Sequence, residues 1–297
     1  MLLLVAIIWG AGFVMQRTAM ETVGPMTFTA VRFLIGAAVL VPLMGWGRRF
    51  TPSHRSPAPR RKFLVVMALA AGSMAAGGML QQMGLVYTSA GVAGFITGLY
   101  VVIVPLLGLC IGYFVRGTTW AAAIIATVGL YLLSVQGQHS INPGDGLVLA
   151  GAVAWSVQLL AIGWLAMRHN PVMVAIVMTA AAGVLTLAVA IPLEQPTLHS
   201  IISTWPELAY SGPLAVGLAF LLQVVAQRHA PPAHAAVILA LEAVFGALAG
   251  WALLQEYLSG IQIIGCTLMF AGILLSQLRP PKPLQPKTIS PLPHESE

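Results

Sequence analysis

Residues 2–26, LLLVAIIWGAGFVMQRTAMETVGPM, and residues 148–172, VLAGAVAWSVQLLAIGWLAMRHNPV, decide the fold. Each begins as an apolar stretch of membrane-span length with a tryptophan inside it, and each ends on a proline that opens the next such stretch. Trp9 and Trp155 lie 146 residues apart, and Pro25 and Pro171 repeat that spacing. The chain therefore reads as two copies of one half, each about 140 residues. Two related halves in a membrane protein can rock about a site between them, which points to transport.

Composition sets the solvent. Hydrophobic residues make up 58% and charged residues 7%, against about 25% charge in a soluble domain; mean hydropathy is +0.89. The net charge of +6 is not a nucleic-acid footprint, because the basic residues fall between apolar spans. Cys110 and Cys266 both lie inside expected spans, where small apolar packing is their role and spacing alone supports neither disulfide nor metal site.

Stretches of about 20 apolar residues fall at 2–20, 26–46, 63–87, 90–115, 118–136, 146–167, 171–192, 207–228, 232–254 and 259–278. The expectation is an all-α integral membrane protein of ten transmembrane helices. The first span has no basic leader and contains the Trp9 that the second copy repeats, so it is expected to be a retained helix. A few residues upstream of Met1 are compatible with its abrupt start. The tail from Arg279, with six prolines, is expected to be disordered and solvent-exposed.

Arg48, Arg49, Arg55, Arg60, Arg61, Lys62, Arg116, Arg168, Arg228, Arg279, Lys282 and Lys287 occupy alternate loops and the tail. By the positive-inside rule that side is cytoplasmic, with both termini on it. The opposite loops carry Glu21, Asp145, Glu194, Glu207 and Glu256. Five spans per half is an odd number, so the second copy enters the membrane reversed. This gives two inverted five-helix repeats, 1–140 and 141–278, around a central cavity, with 279–297 as a cytoplasmic tail. Leu80-Gln81 matches Leu222-Gln223 at an offset of 142, as Ala93, Ile96 and Leu99 match Ala235, Ile238 and Leu241.

Local motifs add a family. Trp9-Gly10-Ala11-Gly12-Phe13, Ala30-Val31-Arg32-Phe33 and Gly84-Leu85-Val86-Tyr87-Thr88-Ser89-Ala90 resemble the first, second and third-to-fourth helix patterns of the EamA-like drug/metabolite transporter superfamily. Leu241-Glu242-Ala243-Val244-Phe245, Gln255-Glu256-Tyr257-Leu258, Gly265 and Gly272 resemble its ninth and tenth helices. The resemblance covers residues 1–278 and implies ten helices around a cavity that passes small metabolites across the inner membrane. Two departures stand out. Val115-Arg116-Gly117 replaces a usual Gly-Glu pair, and Ala243 stands where a proline is common, which removes the proline basis for a helix break there.

Polar groups at membrane depth are the candidate site, because burying charge in a span is costly. Glu242, near the middle of its span, is the strongest candidate, for contacting a cationic group or carrying a proton. Packing of a protonated carboxyl is the competing reading. Arg32 either snorkels outward and pairs with Glu21 or faces the cavity and holds an anionic substrate group. Arg17, one turn before Glu21, is expected in a surface ion pair. Gln16, Gln81, Gln82, Gln158, Gln223 and Gln227 either bond between helices or line the cavity with Trp9 and Trp155. Tyr100 is the repeat equivalent of Glu242 and offers a hydroxyl-bearing wall. Gly94–Gly98, Gly108–Gly112 and Gly246–Gly250 are packing spacings, Pro105 and Pro213 are potential kinks, and His234 is expected at a loop edge near the cytoplasm.

No HExxH, P-loop or CxxC pattern points to an enzyme, and no cofactor or metal is expected. The function expected is an inner-membrane transporter of a small polar metabolite, such as an amino acid or related compound, working by alternating access with export favoured. A non-transporting sensor or scaffold is the rival, with only the proline-rich tail as a partner surface. The expected partners are the small-molecule substrate and the lipid bilayer, not nucleic acid; oligomeric state stays open, with a monomer as one option.

Overall fold

The computed structural model describes residues 1–47, 59–88, 90–113, 115–134, 142–254 and 259–277. The helices are α1 (Leu2–Ala19), α2 (Pro25–Leu40, extended by a 3-10 turn Val41–Leu43), α3 (Met44–Gly47), α4 (Arg60–Tyr87), α5 (Ala90–Gly98), α6 (Tyr100–Cys110), α7 (Gly117–Ser134), α8 (Pro143–Ala166), α9 (Pro171–Glu194), α10 (Leu198–Ser203), α11 (Trp205–Tyr210), α12 (Ala219–Gln227), α13 (Pro232–Leu239), α14 (Glu242–Leu254) and α15 (Gly260–Gln277). A π-helix, Ser211–Leu218, joins α11 to α12. Among the described residues there is no strand.

Eight continuous or broken segments are long and apolar enough to cross a bilayer: Leu2–Ala19, Pro25–Leu43, Arg60–Tyr87, Ala90–Cys110, Pro143–Ala166, Pro171–Glu194, Trp205–Gln227 and Pro232–Ala252. The spans expected at 118–136 and 259–278 correspond to shorter apolar helices, Gly117–Leu133 and Gly260–Ser276. At 1.5 Å per residue each reaches about 25 Å, and both abut residues outside the described set. The outward faces carry large apolar side chains such as Leu64, Val65, Val184, Leu185, Ile264 and Leu274, which water would penalise and acyl chains accept. The chain is a multi-pass membrane protein, all-helical among the described residues. The proline-rich tail and the motif 255–258 lie outside the described residues.

Helix starts follow local chemistry. Proline occupies the first turn of α2, α8, α9 and α13, where its missing N–H costs nothing. The Asn170 side chain caps α9 by accepting from Val172 N at 2.9 Å. The start of α2 is capped from another helix. Glu194, at the end of α9, accepts from Met26 N at 2.8 Å, Thr27 N at 2.7 Å and Thr27 Oγ1 at 2.6 Å. A carboxylate on exposed N–H groups at a helix N-terminus is the favourable sign for the helix dipole.

The main packing pairs are α4 with α8, α7 with α15, α2 with α9, and α1 with α14. Each joins a helix from the first half of the chain to one from the second. Where α1 crosses α14, a methyl built on Gly10 would lie 2.6 Å from the Glu242 carbonyl oxygen and from Phe245 Cβ. Glycine is required there because backbone meets backbone.

Two spans are broken, and the breaks match. Leu99 N donates to Ile96 O and Ile103 N to Leu99 O; 142 residues later, Leu241 N donates to Ile238 O and Phe245 N to Leu241 O. Each break is a tightened i→i−3 turn that restarts a helix on Tyr100 or Glu242. The second break forms with Ala243 in place, so a proline is not what produces it. Pro105 sits inside α6 without interrupting it, and Pro213 lies in the π-helix.

Three further expectations are corrected. Arg17 forms no ion pair with Glu21 among the described residues; its Nη1 donates to Leu85 O at 2.7 Å, tying α1 to the last turn of α4. That carbonyl belongs to a helix C-terminus, where the helix dipole favours a cation. His234 stands beside the loop, in the first turn of α13, but is buried there, because that turn packs on neighbouring helices. Cys110 is exposed rather than packed, since α6 ends there.

Candidate functional site

Both halves deliver their landmarks to one space of about 60 Å³ between α1, α2, α4, α5, α6, α8, the π-helix, α12 and α14. Of the residues singled out from the sequence, Trp9, Gln16, Arg32, Gln81, Tyr100, Trp155, Gln158, Gln223 and Glu242 line it. Gln82 and Gln227 do not. Gln82 is about 100° around α4 from Gln81, and its Nε2 donates to Gln16 O at 3.0 Å. Gln227, the last residue of α12, lies one turn beyond Gln223 and donates to Leu159 O at 3.0 Å. These two make interhelical bonds, the bland alternative for a glutamine.

The tryptophans converge through a residue that sequence reasoning did not single out. Phe220 lies 5.0 Å from Trp9 and 6.0 Å from Trp155 between ring centroids, nearly parallel to the latter. Phe13, Phe33, Thr97, Leu159, Ala215 and Val216 also line the space without having been anticipated. Phe13 closes the Trp9 motif and Phe33 follows Arg32, so adjacency was their available signal. Phe220 had only its position three residues before Gln223, one helical turn away.

The two indoles differ chemically. Trp9 Nε1 donates to Ala215 O at 2.8 Å, a carbonyl in the π-helix. Tyr210 reinforces the same contact by donating from its hydroxyl to Ile8 O at 2.8 Å. Trp155 Nε1 is buried with no hydrogen-bond partner. Among the described residues it shares this with other buried atoms, Gln16 Oε1, Arg32 Nε and both amide atoms of Gln223, while Tyr100 and Glu242 stand within reach of one another. Buried polar atoms are ordinarily satisfied, so such a concentration around one space marks where a ligand or water completes the bonding.

The charges are placed by packing. Arg32 is 4% exposed, with its guanidinium 5.6 Å from the Phe28 ring centre and 5.3 Å from that of Phe33. It lines the space instead of reaching the surface toward Glu21, and among the described residues no carboxylate pairs with it. The aromatic faces offset part of the cost of burying it. Glu242 is 3% exposed and opens α14, where the helix dipole favours a negative charge. Tyr100, opening α6, is its neighbour across the space. Gln81 Nε2 donates to Thr97 Oγ1 at 3.0 Å, and Gln158 Nε2 lies 3.9 Å from Met178 Sδ.

The arrangement therefore offers a cation, a carboxyl, amides of both polarities and aromatic walls. A larger cleft of about 750 Å³ lies elsewhere, between α4, α6 and α8, but its walls are mainly apolar.

Comparison with known proteins agrees with this architecture. A solved crystal structure superposes with a TM-score of 0.74 at 22% identity, over 93% of this chain and 95% of the other, which shows a shared fold. A protein of Archaeoglobus fulgidus named as an uncharacterized transporter is 31% identical, over 94% of this chain and 85% of its own. The Escherichia coli K12 protein named uncharacterized inner membrane transporter YedA is 27% identical, over 94% and 91%. The Salmonella typhimurium SL1344 protein named threonine/homoserine exporter RhtA is 24% identical, over 90% and 87%. The EamA-like transporter family model matches twice, at residues 1–135 and 142–278. On that double match, the chain belongs to the EamA-like transporter family.

Proposed function

We propose that this protein carries a small zwitterionic metabolite, an amino acid or close relative, across the bacterial inner membrane by alternating access, with export the favoured direction. Ten spans in two inverted repeats, 1–140 and 141–278, form the carrier; both termini and the 279–297 tail face the cytoplasm. The observation that carries the reading is the convergence of Arg32 and Glu242, both buried and neither in an ion pair among the described residues, on one space with unpartnered amides and two indoles. Arg32 receives the substrate carboxylate with its planar fork, and Glu242 receives the ammonium group. The matched breaks at Leu99 and Leu241 support a repeat, with Tyr100 and Glu242 at equivalent points of the two halves. The name of RhtA supports the substrate class and direction.

The test is reconstitution into liposomes with a panel of amino acids, amines and organic acids. A zwitterion should be transported and should stabilise the protein thermally, whereas Arg32→Met should lose preference for substrates bearing a carboxylate. Transport of none of these solutes would defeat the proposal. Coupling is read separately. If Glu242 carries a proton, Glu242→Gln abolishes pH-gradient-driven flux and retains exchange; unchanged gradient dependence removes it from that role.

A further inference from the structure

One turn before Gln81, α4 carries two adjacent buried glycines, Gly77 and Gly78. Glycine weakens a helix interior, so two in succession call for a reason. Neighbouring residues on a helix point about 100° apart, and these two meet different partners. A methyl built on Gly77 would lie 3.0 Å from Trp155 Cδ2, 3.0 Å from its Cε2 and 3.2 Å from its Cγ. Three ring atoms at nearly one distance mean that the indole lies flat over the bare backbone. A methyl on Gly78 would lie 2.8 Å from Phe33 Cζ and 3.0 Å from Thr29 Cγ2, and Phe33 is one of the rings beside the Arg32 guanidinium. Lining aromatics from both halves of the chain thus rest on one stretch of α4.

The backbones of α4 and α8 leave no slack around Trp155. A methyl on Gly151, one turn before Trp155, would lie 3.3 Å from Gly77 O. Further along, a methyl on Gly84 would lie 2.8 Å from Gly144 O, and one on Gly144 would lie 2.7 Å from Gly84 O. A side chain added at Gly77 therefore displaces the indole rather than the helix. Ordinary contact begins near 3.4 Å, so the ring moves by roughly 0.4 Å. Nε1 is bonded to Cε2 and moves with it, and this N–H is the unpartnered donor of the site. The ring lines the central space, so the room it can enter is that space.

We propose that Gly77 is a positioning and specificity-determining residue. Its bare backbone is the seat that sets how far Trp155 stands into the central space, and so which solutes fit. The effect on solutes rests on the transport reading; the seating of the indole does not.

Fluorine NMR of the full chain labelled with 5-fluorotryptophan tests the seat, with Trp155→Phe assigning the Trp155 resonance. Gly77→Ala should shift that resonance. Gly72→Ala, in the same helix with nothing within 4 Å of the added methyl, should leave it in place. Uptake of L-alanine, L-threonine, L-leucine and L-phenylalanine into liposomes tests specificity. The rate ratio of the smallest to the largest solute carried does not depend on how much protein is folded. Gly77→Ala should raise that ratio on the order of fivefold, at about 100-fold per ångström of misplacement. In a Trp155→Leu background, Gly77→Ala should change it no further. An unmoved Trp155 resonance overturns the seat, as does an equal shift in Gly72→Ala. A moved resonance with an unchanged ratio, or a ratio that changes as much without the indole, overturns the role in specificity. Uptake of none of the four removes that role together with the transport reading, and the resonance alone then decides the seat.

Discussion

Gly10 and Gly12 are two residues apart on α1, yet a methyl group should be ruinous at one and harmless at the other. At Gly10 it would meet the Glu242 carbonyl oxygen and Phe245 Cβ at 2.6 Å and Gly246 N at 2.7 Å. Ordinary contact begins near 3.4 Å, so α1 and α14 must separate by roughly 0.8 Å. Backbone atoms cannot turn aside as a side chain can. Overpacking costs about 1–3 kcal/mol, and backbone against backbone puts Gly10→Ala toward the upper end, a loss of about 2–3 kcal/mol. At Gly12 the nearest atoms to the added methyl are 3.7 Å away, so Gly12→Ala should stay within about 0.5 kcal/mol of the parent. Equilibrium unfolding by titrating sodium dodecyl sulfate into mixed micelles measures both. If the two variants unfold within about 1 kcal/mol of each other, the close approach of α1 to Glu242 is wrong, and with it the geometry of the site.

Three other outcomes follow from single contacts. Both Trp9→Phe and Trp155→Phe lose ring volume, but Trp9→Phe should cost about 0.6–1.7 kcal/mol more because it alone removes a bonded donor, to Ala215 O, whereas Trp155→Phe should alter substrate selectivity. Glu194→Ala should cost about 1–3 kcal/mol by uncapping α2. A methyl on Gly24 would collide with that same carboxyl, so the double variant with Gly24→Ala should be less than additive in a thermal melt. His169, in the turn between α8 and α9, has its imidazole held below 6.5 by burial and by the neighbouring Arg168 guanidinium. Its neutral form is the one the fold favours, so this contribution is complete above pH 6.5 and declines as pH falls through the folded value. His169→Gln should flatten that acid limb in melts recorded at a series of pH values.

Much of the site was legible because duplication labels positions. Sequence offset pairs Trp9 with Trp155 and Tyr100 with Glu242, and all four line one space. The glutamines were not separable. Gln81 and Gln82 are the same residue type in the same span, and only the packing of α4 decides that one faces inward and the other binds Gln16 O. Arg32 had two open readings, and the aromatic slot made by Phe28 and Phe33 is a consequence of how α2 turns in its packed position. Ala243 misled, because a break can come from a tightened turn as readily as from a proline.

Sequence by itself determined that the chain lives in a bilayer, that it is built twice over, and which polar residues lie at depth. Hydropathy and residue order carry this information, and both are local properties. Tertiary structure alone decided that Phe220 joins the two tryptophans, that Glu194 caps a helix 168 positions away in sequence, and that Arg17 grips Leu85 O. Those outcomes depend on which faces of distant helices meet. Apolar helices in lipid carry little periodic signal to say which face turns inward, since lipid tails are as apolar as the core.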